Sequence, residues 1–200
     1  PKGNLECWDG KFSYERCCTT TSGKYTARCP LPPRSRWCQV KGTKSYPSFT
    51  MAVLDNDIVA DQICAFGGYD PIPLRHIEMV VPKHARVLLD IGAHAGWYTL
   101  LFAMRGWRVE AFEPMPANNA LLEATMCRYP RLKDRIRIHR VALGPTDRAD
   151  GCRAYSEATN AGDAMICCPE DDCGGIGPSY VDRGHVPLRT LDSFLDELAV

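Results

Sequence analysis

A glycine-containing turn between two apolar segments carries the residues of this sequence that are best suited to hold a small molecule. The segment VLLDIG contains Asp90 and leads into the turn Gly92-Ala93-His94-Ala95-Gly96. Glu113 ends the next apolar segment, twenty-three residues after Asp90. In an open parallel sheet a ligand binds beyond the carboxyl ends of the strands, and an acid at the end of the second strand accepts hydrogen bonds from ribose hydroxyls. The spacing therefore predicts a site for a cofactor that contains adenosine.

The residues of the turn favour S-adenosylmethionine over NAD as that cofactor. A dinucleotide fingerprint reads G-x-G-x-x-G, whereas here His94 stands at the second glycine and the spacing is G-x-x-x-G. A pyrophosphate needs bare backbone at that point. A carboxylate such as Asp90 suits the ammonium and sulfonium of S-adenosylmethionine and is unfavourable beside phosphates. No G-K-[ST] follows the turn, which excludes a P-loop. A plain βαβ unit, with Asp90 and Glu113 as solvated strand ends, is the alternative without a ligand.

Apolar strands and amphipathic helices alternate around this turn, which predicts an α/β fold with a parallel, Rossmann-like sheet. The expected strands are residues 86–91, 108–112 and 136–142, and the expected helices are residues 97–104 and 117–128. Upstream, DNDIVADQICAF predicts a helix that Gly67 and Gly68 end, and PLRHIEMVV predicts a second short helix. Downstream, residues 150–168 predict a hairpin, and VPLRTLDSFLDEL predicts a strand and a helix capped by Thr190 or Asp192.

Eleven cysteines are a high number for a chain of 200 residues, and most of them lie in two groups. Residues 1–48 hold five of them in sequence that is poor in aliphatic residues, and we interpret this segment as a Cys-rich leader before a domain of residues 49–200. The second group is Cys152, Cys167, Cys168 and Cys173. No C-x-x-C pair occurs, so disulfides are favoured over a zinc site. Disulfides indicate the secretory-pathway lumen or the extracellular space, with the cytoplasm as the alternative.

The charges of the chain cancel, with 24 basic and 24 acidic residues. This balance gives no indication of a nucleic-acid partner. No apolar run reaches the roughly 20 residues that a membrane span needs. The partner expected from the site is instead a small molecule.

Methyl transfer from a sulfonium to a hydroxyl benefits from a general base, usually a histidine or a carboxylate. The candidates near the expected cleft mouth are His94, Asp70, His185 and Asp163. None of them has a spacing that identifies it, and residues of these types are more often structural or solvent-exposed than catalytic. The catalytic residue is therefore left open at this point.

Four segments of the chain resemble the FkbM-type methyltransferases, a group of class I S-adenosylmethionine-dependent O-methyltransferases. They are VLLDIGAHAGWYTLLFA, VEAFEPMPANNALL, IRIHRVALG and VPLRTLDSFL, and they follow the family's order over residues 55–200. The resemblance implies an O-methyltransferase that acts on a hydroxyl of a sugar or glycan. It implies ribose recognition by Glu113 in the A-F-E-P motif, and backbone contacts to adenine near Val141 and Ala142. The full set of expected cofactor-binding residues is Asp90, Gly92, Ala93, His94, Gly96, Trp97, Tyr98, Glu113, Pro114, Val141 and Ala142.

The chain departs from the family's pattern at two points. His94 stands where the family usually has asparagine, and it is expected either to contact the methionine end of the cofactor or to face solvent. The chain also ends before the K-x-D-x-E-G type motif that follows in the family, so an incomplete sheet is expected. Two alternatives stay open: a non-catalytic Rossmann-like module whose Cys-rich arm binds a partner, and an NAD-type oxidoreductase.

Overall fold

The computed structural model describes residues 29–43, 46–69, 77, 79–82 and 84–198. The chain divides into two compact units, Pro1–Pro30 and Leu31–Val200, and the fold described below is that of the second unit. It combines helices with parallel and antiparallel strands, which confirms the α/β prediction. Residues 77, 79 and 80 are helical and lie in the second short helix predicted from PLRHIEMVV.

An antiparallel hairpin opens the second unit. Strand β1 (Ser35–Val40) pairs with β2 (Phe49–Leu54) along its whole length, from Ser35 opposite Leu54 to Val40 opposite Phe49. The sequence placed the end of an irregular leader at residue 48, whereas this hairpin crosses that position. The residues of β1 alternate between buried and exposed over only a few positions. Such a short alternation does not distinguish a strand from a loop until the partner strand is known.

Helix α1 (Ile58–Phe66) follows the hairpin and has well-defined ends. The side chain of Asp57 accepts a hydrogen bond from the Ala60 N–H and caps the first turn. Gly67 adopts φ +76° and donates its N–H to the carbonyl of Ile63, which confirms the predicted stop. A disulfide joins Cys38 in β1 to Cys64 in α1.

Three parallel strands and two helices form the part of the fold that contains the glycine turn. They are β3 (Val87–Ile91), α2 (Trp97–Met104), β4 (Arg108–Phe112), α3 (Pro116–Arg128) and β5 (Ile136–His139). The strands lie in the order β3-β4-β5, and a short 3₁₀ helix (Pro130–Leu132) precedes β5. Six of the eight residues of α2 are buried, as expected of a helix packed on a sheet. These boundaries agree with the prediction to within one residue, except at the end of β5.

The prediction of one strand over residues 136–142 is wrong. Strand β5 ends at His139, which pairs with Phe112, the last residue of β4. Residues beyond His139 have no further partner in β4, so the chain leaves this sheet. Ala142 and Leu143 form β6 and pair with Leu188 and Arg189 of a different sheet.

That second sheet has the strand order β6-β9-β7-β8. Strands β7 (Arg148–Glu157) and β8 (Ala164–Cys167) form the predicted hairpin, and β9 (Tyr180–Arg189) pairs antiparallel with β7. Helix α4 (Leu191–Leu198) follows β9. Thr190 Oγ1 accepts the Ser193 N–H at 3.1 Å, so Thr190 is the cap and Asp192 lies inside the first turn.

Disulfides account for all eight cysteines within the described ranges, which confirms that prediction. Besides Cys38–Cys64, the structure pairs Cys152 with Cys168 and Cys167 with Cys173. Cys152 and Cys168 lie in a small buried cluster with Val186 and Leu188 of β9. Among the helices of the described ranges, none is both long enough and apolar enough to cross a membrane.

Candidate functional site

The glycine turn curls over the end of β4 and is held there by its backbone. The N–H groups of Gly92 and Ala93 both donate to the carbonyl of Phe112, at 2.9 and 3.0 Å. Gly92, His94 and Gly96 have φ values of +77°, +54° and +89°. Positive φ is readily adopted by glycine and is uncommon for other residues, so the turn needs its two glycines and has a strained histidine between them.

The two glycines have different surroundings. A Cβ on Gly96 would lie 2.6 Å from Cδ1 of Leu122, so Gly96 permits close packing of the turn against α3. A Cβ on Gly92 would have no described atom within 4 Å. Gly92 therefore leaves exposed backbone beside open space, which is the arrangement that a bound small molecule requires.

Glu113 holds the turn from the neighbouring strand end. Its side chain is buried, Oε2 accepts the His94 N–H at 2.7 Å, and Oε1 accepts the Met115 N–H at 2.8 Å and Nδ2 of Asn118 at 3.3 Å. A carboxylate offers about four lone-pair positions. These three bonds leave room for one further donor on Oε2, such as a ribose hydroxyl.

Asp90 is the second buried carboxylate at this end of the sheet. Only Thr99 provides it with hydrogen bonds among the described residues, through Oγ1 to Oδ2 at 2.5 Å and through its backbone N–H. Burial raises the pKa of Asp90, Thr99 opposes that rise, and the nearby charge of Glu113 adds to it. A cationic group beside Asp90 would favour the ionised carboxylate and lower that pKa.

Three buried polar side-chain atoms in α2 and α3 have no hydrogen-bond partner among the described residues. They are Trp97 Nε1, Asn118 Oδ1 and Asn119 Oδ1, as far as the described residues go. Asn118 is 2% exposed and its Nδ2 donates to Oε1 of Glu113, so its unsatisfied oxygen lies close to that carboxylate. A buried polar atom normally has a partner. An orphan acceptor, a carboxylate with one lone pair left and an open glycine together fit a polar ligand with hydroxyl and amino groups.

His94 has a partner that the sequence did not indicate. Its Nε2 lies 3.0 Å from Oδ2 of Asp57, the residue that caps α1. The Asp57 side chain is 1% exposed and that of His94 is 20% exposed. Gly162, in the turn between β7 and β8, packs so closely on this pair that a Cβ there would overlap Asp57 Oδ2 and His94 Nε2.

The remaining predicted residues lie at varying distances along the chain from this turn. Trp97 and Tyr98 begin α2 directly after Gly96, and Pro114 follows Glu113. Val141 lies in the segment that connects β5 to β6, and Ala142 is the first residue of β6. The structure thus brings Asp90, the glycine turn and Glu113 together at one end of β3 and β4, and it places Ala142 in the ladder with β9.

Of the four candidate bases, His94 is the one that lies in the turn itself. Asp163 is exposed, follows Gly162 and accepts a 3.4 Å hydrogen bond from the Tyr180 hydroxyl. His185 is exposed on β9 and lies 2.9 Å from Nη1 of Arg153. Asp70 lies outside the described residues. Asp57 was missed because an acid before a helix is most simply a cap, and its distance of 37 residues from His94 hides the contact.

Comparison with known proteins adds one weak similarity. No family model matches the chain, and no curated protein matches it. The chain is similar to the crystal structure of methyltransferase FkbM from Methylobacillus flagellatus KT, at 23% identity and with a TM-score of 0.31. The similarity covers 47% of this chain and 24% of that one, so this chain spans about a quarter of that methyltransferase's length. Similarity at this level does not establish membership of a family.

Proposed function

We propose that the second unit, Leu31–Val200, forms an S-adenosylmethionine-dependent O-methyltransferase domain of the class I, Rossmann-like type. One observation carries the proposal: Gly92 leaves open space next to two buried carboxylates, Asp90 and Glu113, at the carboxyl ends of adjacent parallel strands. This is the edge of an α/β sheet at which ligands bind. The acceptor is proposed to be a hydroxyl of a small molecule, sugar or glycan.

The charge of the site supports this cofactor over NAD. Two buried carboxylates flank the turn, and burial already raises the pKa of Asp90. A pyrophosphate would bring further negative charge to this place, whereas a sulfonium and an ammonium would compensate the charge that is there. His94, at φ +54°, also gives the turn a side chain at the position where a dinucleotide fingerprint has its second glycine.

Each residue of the site has a task in such a reaction. The bound S-adenosylmethionine would supply an activated methyl group. Glu113 would accept a ribose hydroxyl, and Asn118 Oδ1 would accept a second ligand donor. Asp90 would compensate the positive charge of the methionine end, and Gly92 would allow the backbone to approach it. These residues orient the cofactor and exclude water, and orientation supplies much of the rate enhancement in a displacement between two bound partners.

The disulfides support the location of this protein in an oxidising compartment. Eight cysteines in the described ranges are bonded, and such bonds persist outside the reducing cytosol. We place the protein in the secretory-pathway lumen or the extracellular space.

A non-catalytic module is the second candidate, and one observation favours it. Three protein donors already bind the Glu113 carboxylate, so this residue has a structural task even without a ligand. A domain that kept the architecture and lost cofactor affinity would retain the same bonds. The two candidates differ in whether the site binds S-adenosylhomocysteine.

Calorimetric titration of the 200-residue chain with S-adenosylhomocysteine, and separately with NAD, tests the proposal. We expect saturable binding of S-adenosylhomocysteine alone, weakened at least tenfold in Glu113→Ala. The matched control is Glu123→Ala, which removes an exposed carboxylate from α3. Binding of NAD alone would assign an oxidoreductase, and binding of neither ligand by folded protein would assign the non-catalytic module.

A further inference from the structure

We propose that His94, oriented by Asp57, is the general base that takes the proton from the acceptor hydroxyl. This inference rests on the proposed methyltransferase function. His94 would be the catalytic residue, and Asp57 would be a positioning residue that acts through it. Support comes from the geometry of the pair, from the second imidazole nitrogen, which has no hydrogen bond with a described group, and from the packing of Gly162.

Asp57 is fixed at both of its carboxylate oxygens. Oδ1 accepts the Ala60 N–H at 2.6 Å, and Oδ2 lies 3.0 Å from Nε2 of His94. Although burial alone would raise the pKa of Asp57, the bonds to His94 and to the α1 N–H groups bring it below its ordinary value. Asp57 is therefore an ionised acceptor at neutral pH, and the position of its carboxylate is set by the start of α1.

An ionised carboxylate beside Nε2 determines the tautomer of a neutral His94. Because Asp57 can only accept, Nε2 carries the proton and Nδ1 carries the lone pair. No described group forms a hydrogen bond with Nδ1. The His94 side chain is 20% exposed, so the imidazole is open in part to solvent, and Gly92, two residues earlier in the turn, lies beside open space.

The backbone holds His94 in place at a conformational cost. Its φ of +54° is a value at which glycine would be at ease, and its N–H is bound by Glu113. Strain of this kind persists where the surroundings enforce it, and it occurs often at active sites. A purely structural turn would be served better by glycine, whereas a base requires the imidazole.

Gly162, in the turn between β7 and β8, covers the contact between Asp57 and His94. The Ala161 N–H donates to the Asn56 carbonyl at 3.1 Å, which docks the turn between β7 and β8 against the residue before Asp57. A Cβ at position 162 would overlap both atoms of the Asp57–His94 contact. Gly162 does not have positive φ, so its absence of a side chain is needed for this packing and not for the backbone.

The acceptor hydroxyl loses its proton as the methyl group is transferred. The acceptor oxygen uses a lone pair to bond the methyl carbon, the carbon–sulfur bond breaks, and its electron pair stays on sulfur. The hydroxyl proton passes to Nδ1 of His94. The imidazolium that results is stabilised by the Asp57 carboxylate on its other side, as an acid partner does for a catalytic histidine in general.

The test combines a spectroscopic readout with binding and turnover. In ¹⁵N NMR of the 200-residue chain, the His94 signals are assigned by their loss in His94→Asn. Asparagine tolerates positive φ, but it cannot take a proton. We expect the Nε2–H tautomer in the wild type, a shift towards the other tautomer in Asp57→Asn, and a disturbed His94 signal in Gly162→Ala. Gly177→Ala is the matched control, because a Cβ there meets no described atom within 4 Å.

Binding separates a base from a cofactor ligand. We expect His94→Asn to bind S-adenosylhomocysteine with a Kd within threefold of the wild type. On the glycoside that the wild type methylates fastest, we expect kcat to fall about 100-fold or more with little change in KM for S-adenosylmethionine. A tenfold weaker Kd in His94→Asn, or an Nδ1–H tautomer in the wild type, would overturn the base assignment. Failure of the wild type to bind S-adenosylhomocysteine would instead overturn the proposed function.

Discussion

The backbone N–H of His94 donates to Oε2 of Glu113 at 2.7 Å, so the acid that follows β4 holds the turn that follows β3. Oε1 of the same carboxylate accepts two more N–H groups, from Met115 and Asn118. An acid at this position therefore organises the site even before any ligand binds. Because both carboxylate oxygens accept hydrogen bonds, the stability of the fold should depend on both of them.

We expect Glu113→Gln to lower the free energy of unfolding by about 1–3 kcal/mol, because one buried N–H would then face an NH₂ group. Urea denaturation followed by circular dichroism measures this change. The control Glu123→Gln removes a solvent-exposed ion pair with Arg140 and should cost less than about 1 kcal/mol. Equal stability of the two variants would show that Glu113 does not hold the turn.

Alanine at Gly92 and at Gly96 should separate ligand binding from packing. Both positions have positive φ, so both variants lose about 1 kcal/mol of stability from backbone strain. Gly96→Ala should lose about 1–3 kcal/mol more, because its Cβ would lie 2.6 Å from Leu122 Cδ1. Gly92→Ala should instead lose affinity for S-adenosylhomocysteine, since its Cβ would occupy the open space.

Thermal denaturation and calorimetry on the two glycine variants together check this pair of expectations. The glycine assignment would be wrong if Gly92→Ala bound the ligand as tightly as the wild type. It would also be wrong if Gly96→Ala were no less stable than Gly92→Ala.

Asp90→Asn should raise stability near neutral pH and weaken cofactor binding. Burial raises the pKa of Asp90, so its ionised form destabilises the folded protein, and an asparagine oxygen can still accept from Thr99. As pH falls through this raised pKa, the folded wild type gains a proton before the unfolded chain does, and its stability recovers relative to the variant. The advantage of Asp90→Asn should therefore be largest near pH 7 and shrink towards pH 4.

Unfolding curves of Asp90→Asn and wild type between pH 4 and pH 7 measure this dependence. A constant difference in the free energy of unfolding across that range would show that Asp90 has the same pKa in the folded and unfolded states. A variant that gained stability and kept full affinity for S-adenosylhomocysteine would contradict the charge role proposed for Asp90.

Thr125 joins the hairpin to the parallel unit. Its buried hydroxyl accepts the Ala52 N–H of β2 at 2.9 Å and donates to the Leu121 carbonyl within α3. Thr125→Val keeps the shape and leaves the Ala52 N–H without a partner, so we expect a loss of about 1–3 kcal/mol in the free energy of unfolding. Thr125→Ser keeps the hydroxyl and should retain the bond. A valine variant more stable than the serine variant would disprove the role of this bond.

Several elements were predictable because their signals are local. Helix α2 begins after Gly96 and ends at Met104 as predicted, since eight consecutive apolar or small residues between a glycine turn and Gly106 leave little choice. The stop at Gly67 and the Thr190 cap also depend on residues within one helical turn. The end of β5 was not predictable in this way, because it is set by where β4 ends.

Local sequence signals were sufficient to predict the βαβ segment, with its strand, glycine turn and helix, and the acids Asp90 and Glu113 at the strand ends. Apolar periodicity and glycine spacing are properties of neighbouring residues, and they survive any arrangement of the rest of the chain. Folding of the whole chain was needed to show that Asp57 contacts His94, that Gly162 covers their contact, and that Cys152 bonds Cys168. Those contacts join residues that are distant in the sequence. They form only when whole helices and strands pack against one another.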